Sequence, residues 1–448
     1  MANQRISESA NRPLLILGDY LLSAAQEEPK AGWGVVVQGG QVASIGPGQT
    51  LRQLYPQAEV VEAVGQAIVP GLVNAHHHMY GVLAHGLPLE SAPAGFWPFL
   101  RDFWWPQVED ALDHQMIAAA TDLACLEMVK SGVTTFYDCL EAPQAIPGAL
   151  EVEAAVVRRW GLRGLLSFES TERCGAANGE LGRRENVEFI DSCRQQGGLV
   201  QGMMCFHTSF TCSAPFIRRA VALAQERQVM VHMHLAEGRY EPEYCLTHFG
   251  QRPVAYYDRL GVLGPWTLAS QCVQVDRAEV ALLAQRGARA VHLPMSNCEV
   301  GGGIAPVPEM LAAGVTLGLG SDGYVSNFLE NMRWAFLVHK ARLQDPTVMP
   351  AAAVWQMATA GGAIALGLSQ VGTLHPGHSA DLVLMRTDLP TPVTVENLRE
   401  QLLLWGNPVD ITAVLVAGRW LMRDGIVLGA DEAAIRAQCR EAARKLWG

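Results

Sequence analysis

The stretch IVPGLVNAHHH, residues 68–78, is an apolar run that ends in three histidines. Seven more runs of this kind follow it: VTTFYDC (133–139), RGLLSFES (163–170), LVQGMMCFH (199–207), VMVHMHLAE (229–237), WTLASQCV (266–273), ARAVHLPMS (288–296) and TLGLGSD (316–322). Each has strand length, and between them lie segments with helical periodicity, such as HQMIAAATDLACLEMVKSG (114–132) and APFIRRAVALAQERQ (214–228). Alternation of this kind requires parallel strands joined by helical crossovers. Eight repeats predict a closed (β/α)8 TIM barrel over residues 71–374. An open doubly wound sheet is disfavoured, because no GxGxxG turn follows an early strand.

The flanks read differently. Residues 1–70 carry LLILGDYLL and GWGVVVQGGQVASIG, and residues 375–448 carry SADLVLMRTD and ITAVLVAGRWLMRDGIVL, ending in a helix from Glu432 to Trp447. Alternating apolar residues and glycine turns predict short strands in both. The two ends together are expected to form one small discontinuous β-sandwich domain beside the barrel, so the fold class is α/β. Hydrophobic residues are 49% of the 448 and charged residues only 17%, which excludes a disordered chain. The net charge of −11 argues against nucleic acid or an anionic membrane as partner. No apolar run approaches the roughly 18 residues of a spanning helix, and the first residues lack a secretory core. The ten cysteines include no CxxC pair, so they read as reduced, mostly buried thiols and the expected setting is cytoplasmic.

In such a barrel the working residues sit at the C-terminal ends of the strands. Residues two apart in a strand share a side, so His76 and His78 face together and His77 faces away. His232 and His234 also share a side. His234 is nearer the strand end, where ligands belong, and His232 would be a deeper, hydrogen-bonded core residue. Glu237 follows in the loop, where a carboxylate can serve as general acid and base. Asp322 ends the eighth run. Together His76, His78, His234 and Asp322 offer three nitrogens and one oxygen, a set that suits one divalent metal ion, zinc first and iron second. Metal lowers the pKa of bound water toward neutrality, so hydroxide attack on an electrophilic carbon is the natural chemistry.

At these residues the chain resembles the amidohydrolase superfamily, in its cytosine-deaminase-like and chlorohydrolase-like branch. The matching stretches are PGLVNAHHH (70–78), HLAE (234–237) and LGSDG (319–323), with LPMSN (293–297) and GIAPVP (303–308) as secondary matches. Within the branch DFWW (102–105), FESTER (168–173) and FLENM (328–332) look most like the SsnA-type aminohydrolases. The resemblance implies a metal-dependent hydrolase acting on non-peptide carbon–nitrogen bonds, a deaminase of an aminated N-heterocycle such as a purine, pterin or triazine. It implies His76, His78, His234 and Asp322 as ligands, Asp322 also as proton acceptor, Glu237 as proton shuttle, and His207 as a substrate contact. A homodimer is common in the family.

One position departs from the pattern. Gln271 stands where the family has a histidine near the metal water and substrate. Glutamine can donate and accept a hydrogen bond but cannot carry a proton. Either Gln271 keeps the orienting part of that role, or the site has changed its chemistry. The alternatives to deamination are therefore a hydrolase releasing chloride or an alkylamine, and a catalytically weakened binding protein. The loop over residues 80–105 is rich in aromatic side chains, Trp104 among them, which can sandwich a flat heterocycle; lid packing or an oligomer contact would use the same residues. Glu169 and Glu172 can accept hydrogen bonds from substrate amines or pair with Arg173 or Arg163. Cys139 and Cys272 read as small core residues, and His292 as a neighbour of the site.

Overall fold

The computed structural model describes residues 12–448 apart from 90, 92, 324 and 325. The eight barrel strands are Leu72–His77, Val133–Leu140, Arg163–Phe168, a fourth in two pieces (Val200–Gly202 and Met204–Cys205), Val231–Leu235, Thr267–Gln271, Arg289–His292 and Thr316–Leu319. They pair in parallel in chain order, and the ring closes where Leu319 of the eighth pairs with Asn74 of the first. The break at Met203 lets one half of the fourth strand pair with the third and the other half with the fifth. Strands covered on both faces read as near-continuous apolar runs, which is why the second, VTTFYDCL, is buried at every position. Val73, Ala75, Tyr137, Cys139, Leu165, Cys205, Leu268 and Val291 form a cluster inside the barrel. Leu72, Phe136, Leu166, Met233, Ala269 and Leu317 face outward and join the larger cluster with the helices.

The first strand departs from regular pleating. Its register against the second shifts between Asn74, opposite Phe136, and His77, opposite Asp138. Two residues, Ala75 and His76, therefore oppose the single Tyr137, which is a β-bulge. The bulge resets the alternation, so Val73 and Ala75 belong to the interior cluster while Asn74 and His77 both reach Ser321.

The two ends of the chain build a second, mixed sheet. Its strands run in the order Ile426–Val427, Arg419–Arg423, Ile411–Val416, Leu382–Arg386, Glu59–Pro70, Leu14–Leu21, Trp33–Gln38 and Gln41–Pro47, and Lys30–Ala31 pairs on Leu14–Leu21. N- and C-terminal segments meet where Glu59–Pro70 pairs antiparallel with Leu382–Arg386. Ile16, Val35, Val37, Ile68, Leu382, Leu384, Ala413 and Leu415 form one cluster, so a single sheet curls over its own core. Val383, Met385, Val414 and Val416, on the other face, join the barrel's cluster. The long strand ends at Pro70, with only Gly71 between it and the first barrel strand, and Arg163 of the barrel reaches Asp381 at 3.2 Å. Helix Glu432–Trp447 lies on barrel helix His114–Lys130, tied by Lys130–Glu432 and Arg436–Glu127, both 2.7 Å. No helix among the described residues is long and apolar enough to cross a membrane.

The barrel seam needs a glycine. After the eighth strand, Gly320 passes against the first, and the amides of Ser321 and Asp322 both donate to the carbonyl of His76 at 3.1 Å. A Cβ on Gly320 would lie 2.7 Å from that carbonyl oxygen and 2.6 Å from a Leu293 methyl. Gly320→Ala is therefore expected to cost about 1–3 kcal/mol of stability, the usual range for overpacking. Urea unfolding measures it, and an unchanged midpoint would contradict this account of the seam.

Candidate active site

His76 and His78 end the first strand, His234 ends the fifth, and Asp322 follows the eighth. Their ligand atoms converge. His78 Nε2 is 3.3 Å from His234 Nε2, and Asp322 Oδ1 is 3.4 Å from His78 Nε2 and 3.6 Å from His76 Nε2. The three imidazoles form one group whose potential ligand atoms lie within 4.8 Å of one another. The far sides of His78 and His234 meet acceptors of the protein. His78 Nδ1 donates to the carbonyl of Cys139, and His234 Nδ1 lies 2.8 Å from Glu169 Oε1. Those contacts place the ring protons on Nδ1 and leave lone pairs on Nε2.

His76 Nε2, wholly buried, has no hydrogen-bond partner and faces the Nε2 atoms of His78 and His234 and a carboxylate oxygen of Asp322. A cation among the three nitrogens and the carboxylate removes that penalty, so the donor set fits a divalent metal. Burial keeps His76 neutral, with its pKa pushed down to about 3. Burial also opposes charge on His234, but Glu169 outweighs it and pushes that pKa up to about 10. The same carboxylate makes His234 Nε2 a stronger donor.

Asp322 is held from the other side. Gln271 Nε2 and Ser296 Oγ each donate to Asp322 Oδ2 at 2.8 Å, and His77 Nδ1 donates to its backbone carbonyl. Burial alone would raise the Asp322 pKa, yet His76, His78 and Gln271 bring it well below the carboxylate range. An ionised carboxylate only accepts, so it fixes the Gln271 amide with its NH2 toward Asp322. Gln271 Oε1 is left buried and without a partner. Glu237 behaves oppositely. Burial, then the nearby Asp322 charge, pushes its carboxyl well above the usual value. Ala236, Gln271, Cys272 and Asp322 all have left-handed backbone, with φ of 49°, 75°, 51° and 59°. Such conformations cost energy and gather where function over-determines the backbone.

The group lies at one end of a cavity of about 610 Å³, a size suited to a small molecule. Glu237, Gln271, Glu169 and His207 line it, with Phe96, Phe99, Phe103, Trp104 and Trp105. His207 is fixed by Thr211 at 2.9 Å from Nδ1, its Nε2 lies 3.7 Å from Glu169, and burial pushes its pKa down to about 3. Trp104 stacks on Phe99 at 5.5 Å. The lid carrying these aromatics seats where Gly238 has no side chain: a Cβ there would come within 2.5 Å of the Phe96 ring.

Other residues named from the sequence fall outside this cluster. His232 is deeper and fully buried, 3.0 Å from Ser270 Oγ and 3.2 Å from Cys205 Sγ. His292 turns away from the site and pairs with His339 at 3.0 Å, so it does not neighbour the chemistry. All ten cysteines are free, and Cys139 and Cys272 are buried. Glu172 caps Ser213 at 2.6 Å, and Arg173 pairs with neither Glu169 nor Glu172. Sequence reasoning missed Glu109, Glu141 and Tyr80. Arg173 contacts Glu141, Asp110 at 2.7 Å and Glu109 at 3.1 Å, and the Tyr80 hydroxyl donates to Glu109 at 2.8 Å. Single acids in helical or loop segments carry no periodic signal, so nothing in the sequence marked them. Ser296 was noticed only as part of a motif, not as a partner of Asp322.

Fold and site together define a barrel hydrolase whose histidine and carboxylate cluster suits a metal ion. The amidohydrolase family model matches residues 67–421, and the chain belongs to that family. A 5-methylthioadenosine/S-adenosylhomocysteine deaminase of Desulforudis audaxviator is 35% identical over 97% of this chain and 99% of its own length. A 5′-deoxyadenosine deaminase of Methanothermobacter thermautotrophicus is 32% identical over 98% of this chain and 100% of its own. Among solved structures, an adenosine deaminase from Xanthomonas campestris with bound zinc has a TM-score of 0.85 at 26% identity, covering 97% of this chain and 98% of its own. The zinc complex of atrazine chlorohydrolase TrzN from Arthrobacter aurescens has a TM-score of 0.84 at 21% identity, over 96% of this chain and 100% of its own, and shares the fold.

Proposed function

We propose that the chain is a metal-dependent hydrolytic deaminase of 6-aminopurine nucleosides, exchanging the exocyclic amino group for oxygen and releasing ammonia. One observation carries this reading. Three imidazole nitrogens and Asp322 Oδ1 meet at one end of an aromatic-walled cavity, beside a carboxyl, Glu237, that burial keeps protonated. The names of the relatives at 32–35% identity supply the purine nucleoside. The chlorohydrolase likeness, at 21%, concerns the fold and does not favour chloride as leaving group.

One divalent ion, zinc first, held by His76, His78, His234 and Asp322, supplies the Lewis acidity that makes water a nucleophile near neutral pH. The side chains do the rest. Trp104 and Phe99 offer flat faces for the ring. His207 presents Nε2 to a ring nitrogen, its other nitrogen being held by Thr211. Asp322, kept ionised by its donors, accepts the proton of the attacking water. The neutral Glu237 carboxyl gives its proton to the leaving nitrogen. Gln271 carries no proton and acts by holding Asp322 in place. Both proton carriers are present without it, which favours an enzyme over a weakened binding protein.

Elemental analysis of the purified protein is expected to give about one divalent ion per chain, and His234→Ala to lose most of it. Full occupancy in that variant would contradict the ligand assignment. Glu237→Gln, with metal retained, is expected to lower kcat for ammonia release about 10²–10⁴-fold. Gln271→Leu is expected to lower it about 10- to 100-fold, the effect of removing one hydrogen bond to a charged group. Wild-type rates in either variant would remove that residue from the mechanism.

A further inference from the structure

The reading as a nucleoside deaminase leaves open what the far end of the nucleoside carries. Two kinds of 5′ substituent appear in the relatives' names: small neutral ones, and the homocysteine tail, a zwitterion that carries a carboxylate beside its ammonium group. The charges lining the cavity bear on that choice. Glu109, Glu169, Glu237, Glu299 and Asp322 line it, and among the described residues no lysine or arginine does.

The cation nearest by contact is already taken. Arg173 meets three carboxylates, Glu109, Asp110 and Glu141, while its guanidinium lies over the Trp105 ring at 5.1 Å. Its side chain is only 8% exposed. Turning it toward a ligand would strip buried carboxylates of their partner, which is strongly unfavourable. A cation held by the histidines is matched locally by Asp322 and Glu169. The rest of the described lining is largely apolar, with Leu87, Leu89, Phe96, Leu100 and Val300; away from the metal-site histidines and Arg173 its polar side chains include Glu299 and the neighbouring His85, whose Nε2 is 2.9 Å from the Gly323 carbonyl.

We propose that this site selects nucleosides whose 5′ end is apolar or cationic and discriminates against those that carry a carboxylate or phosphate there. An anion at the 5′ end loses its hydration, meets no lysine or arginine among the described residues, and lies in a cavity whose lining includes the Glu299 carboxylate. A methylthio or methyl group instead buries apolar surface against Leu87, Leu89 and Phe96. An alkylammonium can pair with Glu299. The proposal rests on the nucleoside reading and narrows it to one half of what the relatives' names span.

The test is ammonia release by the metal-loaded full chain on four probes: 5′-methylthioadenosine, 5′-(3-aminopropylthio)adenosine, S-adenosylhomocysteine and adenosine 5′-monophosphate. The expected kcat/KM for the two carboxylate- or phosphate-bearing probes is lower than for the methylthio compound by about 100-fold or more. The amine is expected within about tenfold of it. Glu299→Lys should raise the ratio of S-adenosylhomocysteine to methylthioadenosine turnover by about tenfold. Turnover of all four probes within about threefold would overturn the charge selectivity and leave the deaminase reading standing. An unchanged ratio in Glu299→Lys would overturn the part assigned to Glu299. No ammonia from any nucleoside, with turnover of an aminated pterin or triazine, would overturn the nucleoside reading and this proposal together.

Discussion

The seam between the first and eighth strands is the constraint on which the site depends. There the ring of strands closes, and there the last strand of the barrel meets the first. Asn74 Nδ2 donates to Ser321 Oγ at 2.7 Å, and the Ser321 amide returns a bond to Asn74 Oδ1 at 3.1 Å. The amides of Ser321 and Asp322 then share the carbonyl of His76. These are backbone and short side-chain bonds in a dry setting, where each unpaired group would be costly. They lock Asp322 beside His76 and His78 across some 240 residues of chain. His234 comes from the opposite wall, fixed by its own strand and by Glu169.

Charge is arranged with equal economy. Asp322 and Glu169 are ionised although buried, because each faces imidazoles and hydrogen-bond donors. Glu237, with fewer compensating contacts, keeps its proton. Carboxylates that line one cavity are thus driven to opposite protonation states by their surroundings, the usual way an active site obtains an acid and a base from one residue type. Arg173 neutralises part of a second acid cluster behind the aromatic wall. Among the described residues no lysine or arginine lines the cavity, which is the basis for its proposed choice of substrate.

The barrel was legible because its strands are covered on both faces, so each stands out as an apolar run between amphipathic helices. The metal-ligand candidates were legible because they cluster at strand ends as HHH, HMH and SD. Period-two alternation says that His76 and His78 face one way and His77 the other. It does not say which way. Counted from Val73 and Ala75, regular pleating would turn His77 inward, and the bulge at Ala75 and His76 reverses this. A bulge depends on how two strands pair, and no local propensity announces it. The same holds for His292, which shares a strand end with Ser296 yet faces His339 instead of Asp322.

By itself, then, the sequence determined the barrel, the strand termini that carry chemistry, and the donor types available there, since these follow from local pattern and side-chain chemistry. Tertiary structure alone decided three things: that His76 and His78 point inward, that Gln271 offers its NH2 to Asp322 and leaves its carbonyl without a partner, and that Arg173 is committed to Glu109, Asp110 and Glu141. Each is a question of which polar group meets which across long stretches of chain. Only closure of the barrel, which removes water and makes an unpaired buried charge or donor costly, provides the answer.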